Sequence, residues 1–259
     1  MSYWQDRMAA SQTKLTEKTT KQIEKQLIKY YSNATKKVID DFTATYEKLL
    51  ATAEAGKQPT PADLYKLDKY WQAQAKMRAE LTKLGNRQIA ALSKAFETNF
   101  FDIYYSIALE GGAHFASLDT ATVQQIINEI WCADGKSWSS RIWSNTDKLA
   151  EELNESLIHT VAAGKKTTDL KNLLQARFGV SYSSADSLVR TELAHIQTQA
   201  AKKRYEDYGI SMVEIWADED ERRCDICGGL HQKKYPVGAA IPIPAHPRCR
   251  CCIVPVVED

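Results

Sequence analysis

Five of the six cysteines in this 259-residue chain fall between positions 224 and 252, with a histidine among them. Cys224-Asp225-Ile226-Cys227 is a CxxC knuckle, a turn that aims two sulfurs at one point. His246-Pro247-Arg248-Cys249 repeats that spacing, and Cys251 follows two residues later. Thiolates and an imidazole so spaced suit a tetrahedral zinc ion, with Zn–S bonds of about 2.3 Å and Zn–N bonds of about 2.0–2.1 Å. Pro242, Pro244 and Pro247 stiffen the second half by fixing φ and removing backbone donors. Cys224, Cys227, His246, Cys249 and Cys251 are thus the candidate ligands, more than one tetrahedral ion needs. On an extended segment Cys249 and Cys251 share a side and Cys252 faces away. His231 is a further candidate, although a single loop histidine is more often a bystander.

Disulfides or free thiols are the competing chemistry. Met1-Ser2-Tyr3-Trp4 opens straight into charged, helix-like sequence, so no secretory leader is expected. In a reducing compartment CxxC and HxxC together read as metal before disulfide. A redox CxxC belongs in a βαβ context, and none precedes this one. Cys132, alone outside the tail, reads as a small core residue. A catalytic metal would need three protein ligands, an open position and a nearby base, for which Glu192, Glu214 and Asp218 are the candidates. There is no HExxH or comparable helical motif. The expectation is a closed, structural site and a protein that is not an enzyme.

The elements that must position this tail are helical. With 44% hydrophobic and 26% charged residues the chain reads as globular rather than disordered. Its 34 basic and 33 acidic residues set up no global field toward nucleic acid or membrane, and no apolar run approaches the roughly 20 residues of a span. Ile23, Leu27, Tyr31, Ala34, Val38, Phe42, Tyr46 and Leu49 form one apolar stripe at helical spacing, opposite a lysine face (Lys21, Lys25, Lys29, Lys36, Lys37) that reads as solvated. Gly56 and Pro59 break it, and Thr60-Pro61-Ala62-Asp63 is a helix start. A second stripe (Leu64, Leu67, Trp71, Ala75, Leu81, Leu84) is predicted to stop at Gly85-Asn86, and a third runs from Ile89 to Ile107 and ends at Gly111-Gly112.

Shorter helices follow, through Val123 to Ile130, Trp138 to Val161, Leu170 to Phe178 (closed by Gly179), and from a Ser183-Ser184 cap to Gly209. Strand-like sequence appears only at Ser211 to Trp216 and Ile253 to Val257, flanking the cysteines. The predicted fold class is mainly α: long antiparallel helices with a small C-terminal α+β zinc-knuckle module. The predicted division is a long-helix region over 1–115, a bundle or a partner-docking arm, and a C-terminal domain over 116–259 with its metal-binding tail at 211–257. Inside the last helix, Arg190 and Glu192 lie on different faces and do not pair with each other, so each is expected to anchor a neighbouring element.

Arg190-Thr191-Glu192, then Trp216 and Asp220, then Arg223-Cys224-x-x-Cys227, then Pro244-Ala245-His246-Pro247-x-Cys249-Arg250-Cys251 resembles the phage Mu F-like family, also called the SPP1-like minor head or head morphogenesis family. The match in order and spacing covers roughly residues 165–257. The opening Tyr3-Trp4-x-x-Arg7-Met8 and the helix stripe after it resemble the family's N-terminal region. Arg248 stands where the family commonly has asparagine, and Cys252 is an extra cysteine after the CRC. The resemblance implies a portal-associated minor capsid protein of the virion, acting in procapsid assembly and in DNA packaging or ejection. Portal protein, scaffold and major capsid protein are the implied partners, and no membrane is. It also places Cys224, Cys227, His246, Cys249 and Cys251 on the family's metal positions. Some relatives carry a fused toxin or enzyme domain, for which a chain ending at Asp259 is expected to leave no room. The alternative function is a zinc-containing nucleic-acid-binding module, since Arg222, Arg223, Lys233, Lys234, Arg248 and Arg250 cluster around the knuckles and Trp216 and Tyr235 are available to stack on bases. A metal-dependent hydrolase is the third reading.

Overall fold

The computed structural model describes residues 3–54, 57–107, 118–217, 220 and 223–256. The expected breaks at Gly56 and Gly111-Gly112, the boundary near 115, and Asp218, Arg222 and Val257 lie outside the described residues. Among the described residues seven helices and three strands follow one another: α1 (Tyr3–Thr52), α2 (Pro61–Tyr65), α3 (Asp68–Ser106), α4 (Thr120–Ile127), α5 (Trp138–Ala162), α6 (Thr167–Asp207), β1 (Met212–Trp216), α7 (Asp225–Leu230), β2 (Lys234–Pro236) and β3 (Cys252–Pro255). The fold is mainly α with a small antiparallel sheet at its C-terminal end. Among the described residues no helix is long and apolar enough to cross a membrane. The chain forms two compact units, one from Met1–Glu24, Ala91–Trp138 and Ser187–Asp259, the other from Lys25–Ala90 and Ser139–Asp186. Contacts therefore group the chain differently from any cut at a single point in the sequence.

In the second unit, parts of α1, α3, α5 and α6 pack as antiparallel helices. Lys37 meets Glu80 at 2.9 Å and Lys76 meets Asp41 at 3.2 Å, so α1 and α3 run in opposite directions. Tyr31 hydroxyl donates to the Ser181 carbonyl at 3.3 Å and Tyr46 hydroxyl to the Lys165 carbonyl at 2.5 Å, which opposes α1 and α6 in the same way. The exposed ion pairs add little, because water screens them. The stability lies in the α1 stripe, every member of which from Ile23 to Leu49 is buried.

Two predicted helix ends are absent. α3 runs straight through Gly85-Asn86, and α6 passes through Gly179 and Ser183-Ser184 without a break. Interior glycine costs a helix only about 1 kcal/mol, less than the packing that holds these helices together. At Gly85 the missing side chain has a use: a Cβ there would stand 2.6 Å from Cζ3 of Trp143, so glycine admits the indole of α5. At Gly179 a Cβ would meet nothing within 4 Å. Gly179→Ala is therefore expected to stabilise by about 0.5–1 kcal/mol, and Gly85→Ala to destabilise by about 1–2 kcal/mol despite its better helix propensity. Thermal denaturation of both variants checks this, and equal stabilisation would remove the Trp143 contact. The second stripe also differs in phase. Trp71 and Ala75 are exposed, and Tyr70, Ala73 and Met77 are buried in their place. The turn at residues 66 and 67 separates capped α2 from α3 and resets the helical register.

In the first unit the start of α1 lies on the sheet. Gln12, fully buried, donates through Nε2 to the Ile253 carbonyl at 3.0 Å and to the Tyr205 hydroxyl at 3.2 Å. Tyr205 donates in turn to the same carbonyl at 3.1 Å. The strand order is β2-β1-β3, with Val213 opposite Tyr235 and Trp216 opposite Cys252. α6 ends at Asp207, and Gly209 in the turn after it has a φ of +72°, the left-handed conformation that glycine tolerates without strain. The bond from Ile210 N–H to the Tyr205 carbonyl closes that turn and leads the chain into β1.

Candidate metal centre

Cys224 is the N-cap of α7. Its extended backbone (φ −82°, ψ 164°) points Sγ back at the Cys227 amide, 3.5 Å away. The six-residue helix thus presents both knuckle sulfurs on one side. The second pair arrives on a segment without regular structure, residues 237–251, which contains a cis Ile243–Pro244 peptide. His246 Nε2 stands 3.3 Å from Cys224 Sγ and 3.0 Å from Cys227 Sγ. Cys227 and Cys249 sulfurs are 3.8 Å apart. Cys227, Cys249 and Cys251 form a second, buried group that shares Cys227 with the first. All five candidate ligands therefore converge, and these Cys and His groups can hold a metal ion.

The electrostatics suit a cation. The Cys224 thiol is lowered, first by the Cys227 amide at the start of α7. Cys249 is pulled down to about 5, chiefly by a hydrogen bond from the Cys251 thiol. Burial raises Cys227 to about 12, and Cys251 is raised by its bond to Cys249. Hydrogen bonding thus favours the thiolate at Cys249 over its neighbours, and a bound cation would draw protons from those neighbours as well. His246 Nδ1 donates to the Pro247 carbonyl at 2.8 Å, so in the neutral ring Nε2 is the nitrogen whose lone pair faces the sulfurs. That outer hydrogen bond is the usual way a ligating imidazole is oriented.

The other cysteines and histidines have different surroundings. Cys252 faces the opposite way, buried with Ala9 and Val254. His231 Nδ1 accepts from the Ala217 amide at 3.2 Å and its ring meets Trp216 edge-on at 5.1 Å. It stands in neither ligand group. Among the described residues no cysteine is in a disulfide.

Arg190, Thr191 and Glu192 reach three different neighbours. Arg190 pairs with Glu24 of α1. Glu192, 4% exposed, accepts the Trp131 indole N–H at 3.0 Å. Thr191 Oγ1 accepts the Arg248 amide at 3.0 Å and donates to the Ser187 carbonyl at 2.7 Å. The threonine therefore tethers the backbone between His246 and Cys249 to α6, 57 residues away in sequence. No spacing rule in the sequence points to that bond. Thr191→Val is expected to keep the helix and to weaken metal binding by about 10–100-fold, as loss of an outer-shell partner does. Competition with a chromophoric chelator measures this, and unchanged affinity would show that the tether does not set the ligand geometry.

The basic residues near the knuckles differ in their surroundings. Arg250 is held in a bidentate pair with Asp220, at 2.8 and 2.6 Å. Arg223, Lys233, Lys234 and Arg248 are exposed. Glu214 is buried in β1.

No family model matches the chain, and no solved structure matches it. Among curated proteins it is similar to the NAD(+)–arginine ADP-ribosyltransferase EFV of Enterococcus faecalis (strain ATCC 700802 / V583), with 25% identity over 188 residues. That alignment takes in 64% of this chain and 38% of the transferase, so the chain spans well under two thirds of this relative's length.

Proposed function

We propose that the chain is a portal-associated minor head protein of the phage Mu F-like kind, non-enzymatic, with a structural zinc pinning its C-terminal module. The observation that carries the reading is the gathering of the CxxC and HPxCRC side chains at one point. Tetrahedral zinc with bonds of the lengths given above separates sulfur ligands by about 3.8 Å and sulfur from nitrogen by about 3.5 Å. The 3.8 Å between Cys227 and Cys249 and the 3.0–3.3 Å from His246 to its two cysteines fit such an ion with modest adjustment. With five candidates, protein ligands can fill all four positions and leave none for a reacting water. Zinc would be supplied by the host cytoplasm in which heads assemble, and the protein would then reside in the virion at the portal vertex.

The match to a named ADP-ribosyltransferase supplies a second reading, that this chain acts on NAD+ and arginine. The larger part of that relative lies outside the alignment, so the likeness is compatible with a shared non-enzymatic region. Glu192, the buried carboxylate of the motif, is occupied with Trp131, which also favours a positioning role. Two measurements test the proposal. Co-expression with a cognate portal protein should yield a co-purifying complex, and incubation with NAD+ and an arginine acceptor should yield no ADP-ribosylated product. Turnover of NAD+ by the purified chain would overturn the non-enzymatic reading; failure to associate with portal or procapsid would overturn the head-protein reading.

A further inference from the structure

Against the metal loop, with the candidate ligand Cys249 in its wall, a cleft of about 440 Å³ opens between residues 13–20 of α1, the middle of α6 and residues 248–250. Arg190, Arg248, Gln197, Thr13 and Thr16 line it, with Glu17 at its edge. Gln197 is only 3% exposed, yet its Nε2 has no acceptor among the described residues. Thr16 Oγ1 is equally buried and equally unpaired. A buried donor left unmade costs about 1–3 kcal/mol, so such groups ordinarily have partners. Beside them stand two guanidinium groups, that of Arg190, which also pairs with Glu24, and that of Arg248. Burial first, and then the charge of Arg248, disfavours the protonated form of Arg190. Arg248 moreover occupies the left-handed region (φ +63°), a conformation that non-glycine residues keep where the surroundings impose it, often at binding sites.

An anion with several acceptor oxygens relieves all of these at once. It accepts from the Gln197 amide and the Thr16 hydroxyl and separates the like charges, while guanidinium forks match its geometry bidentately. A cation would add to the repulsion, and an apolar ligand would leave the amide unsatisfied. We infer that this cleft binds a phosphate group, held by Arg190 and Arg248 with Gln197 and Thr16 as neutral donors. The phosphate has two possible sources, free phosphate or the phosphodiester backbone of DNA. The inference rests on the loop geometry and not on the head-protein reading, and zinc content measured on the same samples keeps the two apart.

The test is titration calorimetry of the full chain with inorganic phosphate and, separately, with a short DNA duplex of arbitrary sequence. Wild type is expected to bind phosphate. Arg248→Gln should weaken it by about tenfold or more, the loss typical of a charge-assisted contact. Gln197→Leu should weaken it several-fold, and Glu17→Gln should strengthen it by removing the one carboxylate among the described lining residues. Phosphate that displaces the duplex, with Arg248→Gln weakening both, identifies DNA as the source. Phosphate binding with a duplex that ignores both identifies the free ion. No phosphate uptake by wild type, or equal affinity in folded Arg248→Gln and Gln197→Leu chains, would overturn the inference. Should Arg248→Gln lose its metal or its fold, Gln197→Leu, which lies on α6 away from the ligands, decides it.

Discussion

Wild type is expected to leave purification with one zinc per chain, and Cys249→Ser chains without it and readily cut by protease within residues 223–251. The helices should keep their circular dichroism signal. The size of the effect follows from how little else holds that segment. Between residues 225 and 251 the regular structure is a six-residue helix and a three-residue strand. The buried hydrophobic positions described there are Cys227, Ile243, Cys249 and Cys251, so a single aliphatic side chain accompanies three thiols. Burying one isoleucine is worth about 1.5–3 kcal/mol, far below the ordering cost of some twenty residues. Structural zinc sites supply about 10–16 kcal/mol of apparent binding energy at neutral pH, and that energy is folding energy. Chelation of wild type should therefore reproduce the Cys249→Ser pattern. Strands β1 and β3 are secured otherwise, by pairing with each other and by Gln12 on the Ile253 carbonyl, so cleavage should begin between them.

Cys252→Ser is the matched control. Its thiol lies with Ala9 and Val254 in the core, so the change should cost stability without costing metal. Cys251→Ser separates the remaining possibilities: full metal retention would make Cys224, Cys227, His246 and Cys249 the ligand set. Equal zinc in Cys249→Ser and wild type would end the pinned-loop account.

Sequence and structure agree where a physical period is long and uninterrupted. The α1 stripe repeats at helical spacing over 27 residues from Ile23 to Leu49, and each of its members is buried. The agreement breaks where one residue was asked to outweigh a helix. Gly85 and Gly179 are poor helix formers, yet their penalty is small beside the packing of α3 and α6, and at Gly85 the reason for glycine is the Trp143 ring on another helix. Trp71 shows the converse failure, since the register reset before α3 exposes it and buries Tyr70. In the candidate site, the convergence of the cysteines and His246 was legible because CxxC and HxxC carry their chemistry in local spacing. The Thr191 tether and the Arg250–Asp220 pair were not, because they join residues 57 and 30 apart through the fold. β2 was illegible for a different reason: Lys234-Tyr235-Pro236 is too short to show alternation, and only pairing with β1 makes it a strand.

The second large effect concerns acid. His195 lies on α6, 6% exposed, its ring stacked on Trp131 at 4.4 Å with an interplanar angle of 9°. Its Nε2 has no hydrogen-bond partner among the described residues. Burial drives its pKa from 6.5 to about 4, because the imidazolium would lose its water and gain no compensating bond. The folded-state pKa is thus depressed for a base. Above 6.5 neither state holds the proton and His195 contributes no pH dependence. Between 6.5 and about 4 the unfolded chain takes up a proton that the folded chain refuses, so stability falls as the pH falls through that window. At about 1.36 kcal/mol per pH unit the full loss is about 3 kcal/mol. Metal release in acid and the carboxylates also lower stability there, but they do so alike in a His195→Gln chain. The expected result is therefore in the difference: denaturant titrations should show the stability of His195→Gln rising relative to wild type by about 2–3 kcal/mol between pH 7 and pH 4.5. A difference that stays constant with pH would mean that the His195 imidazole is already charged or hydrated in the folded protein, and that its stack on Trp131 opens to water.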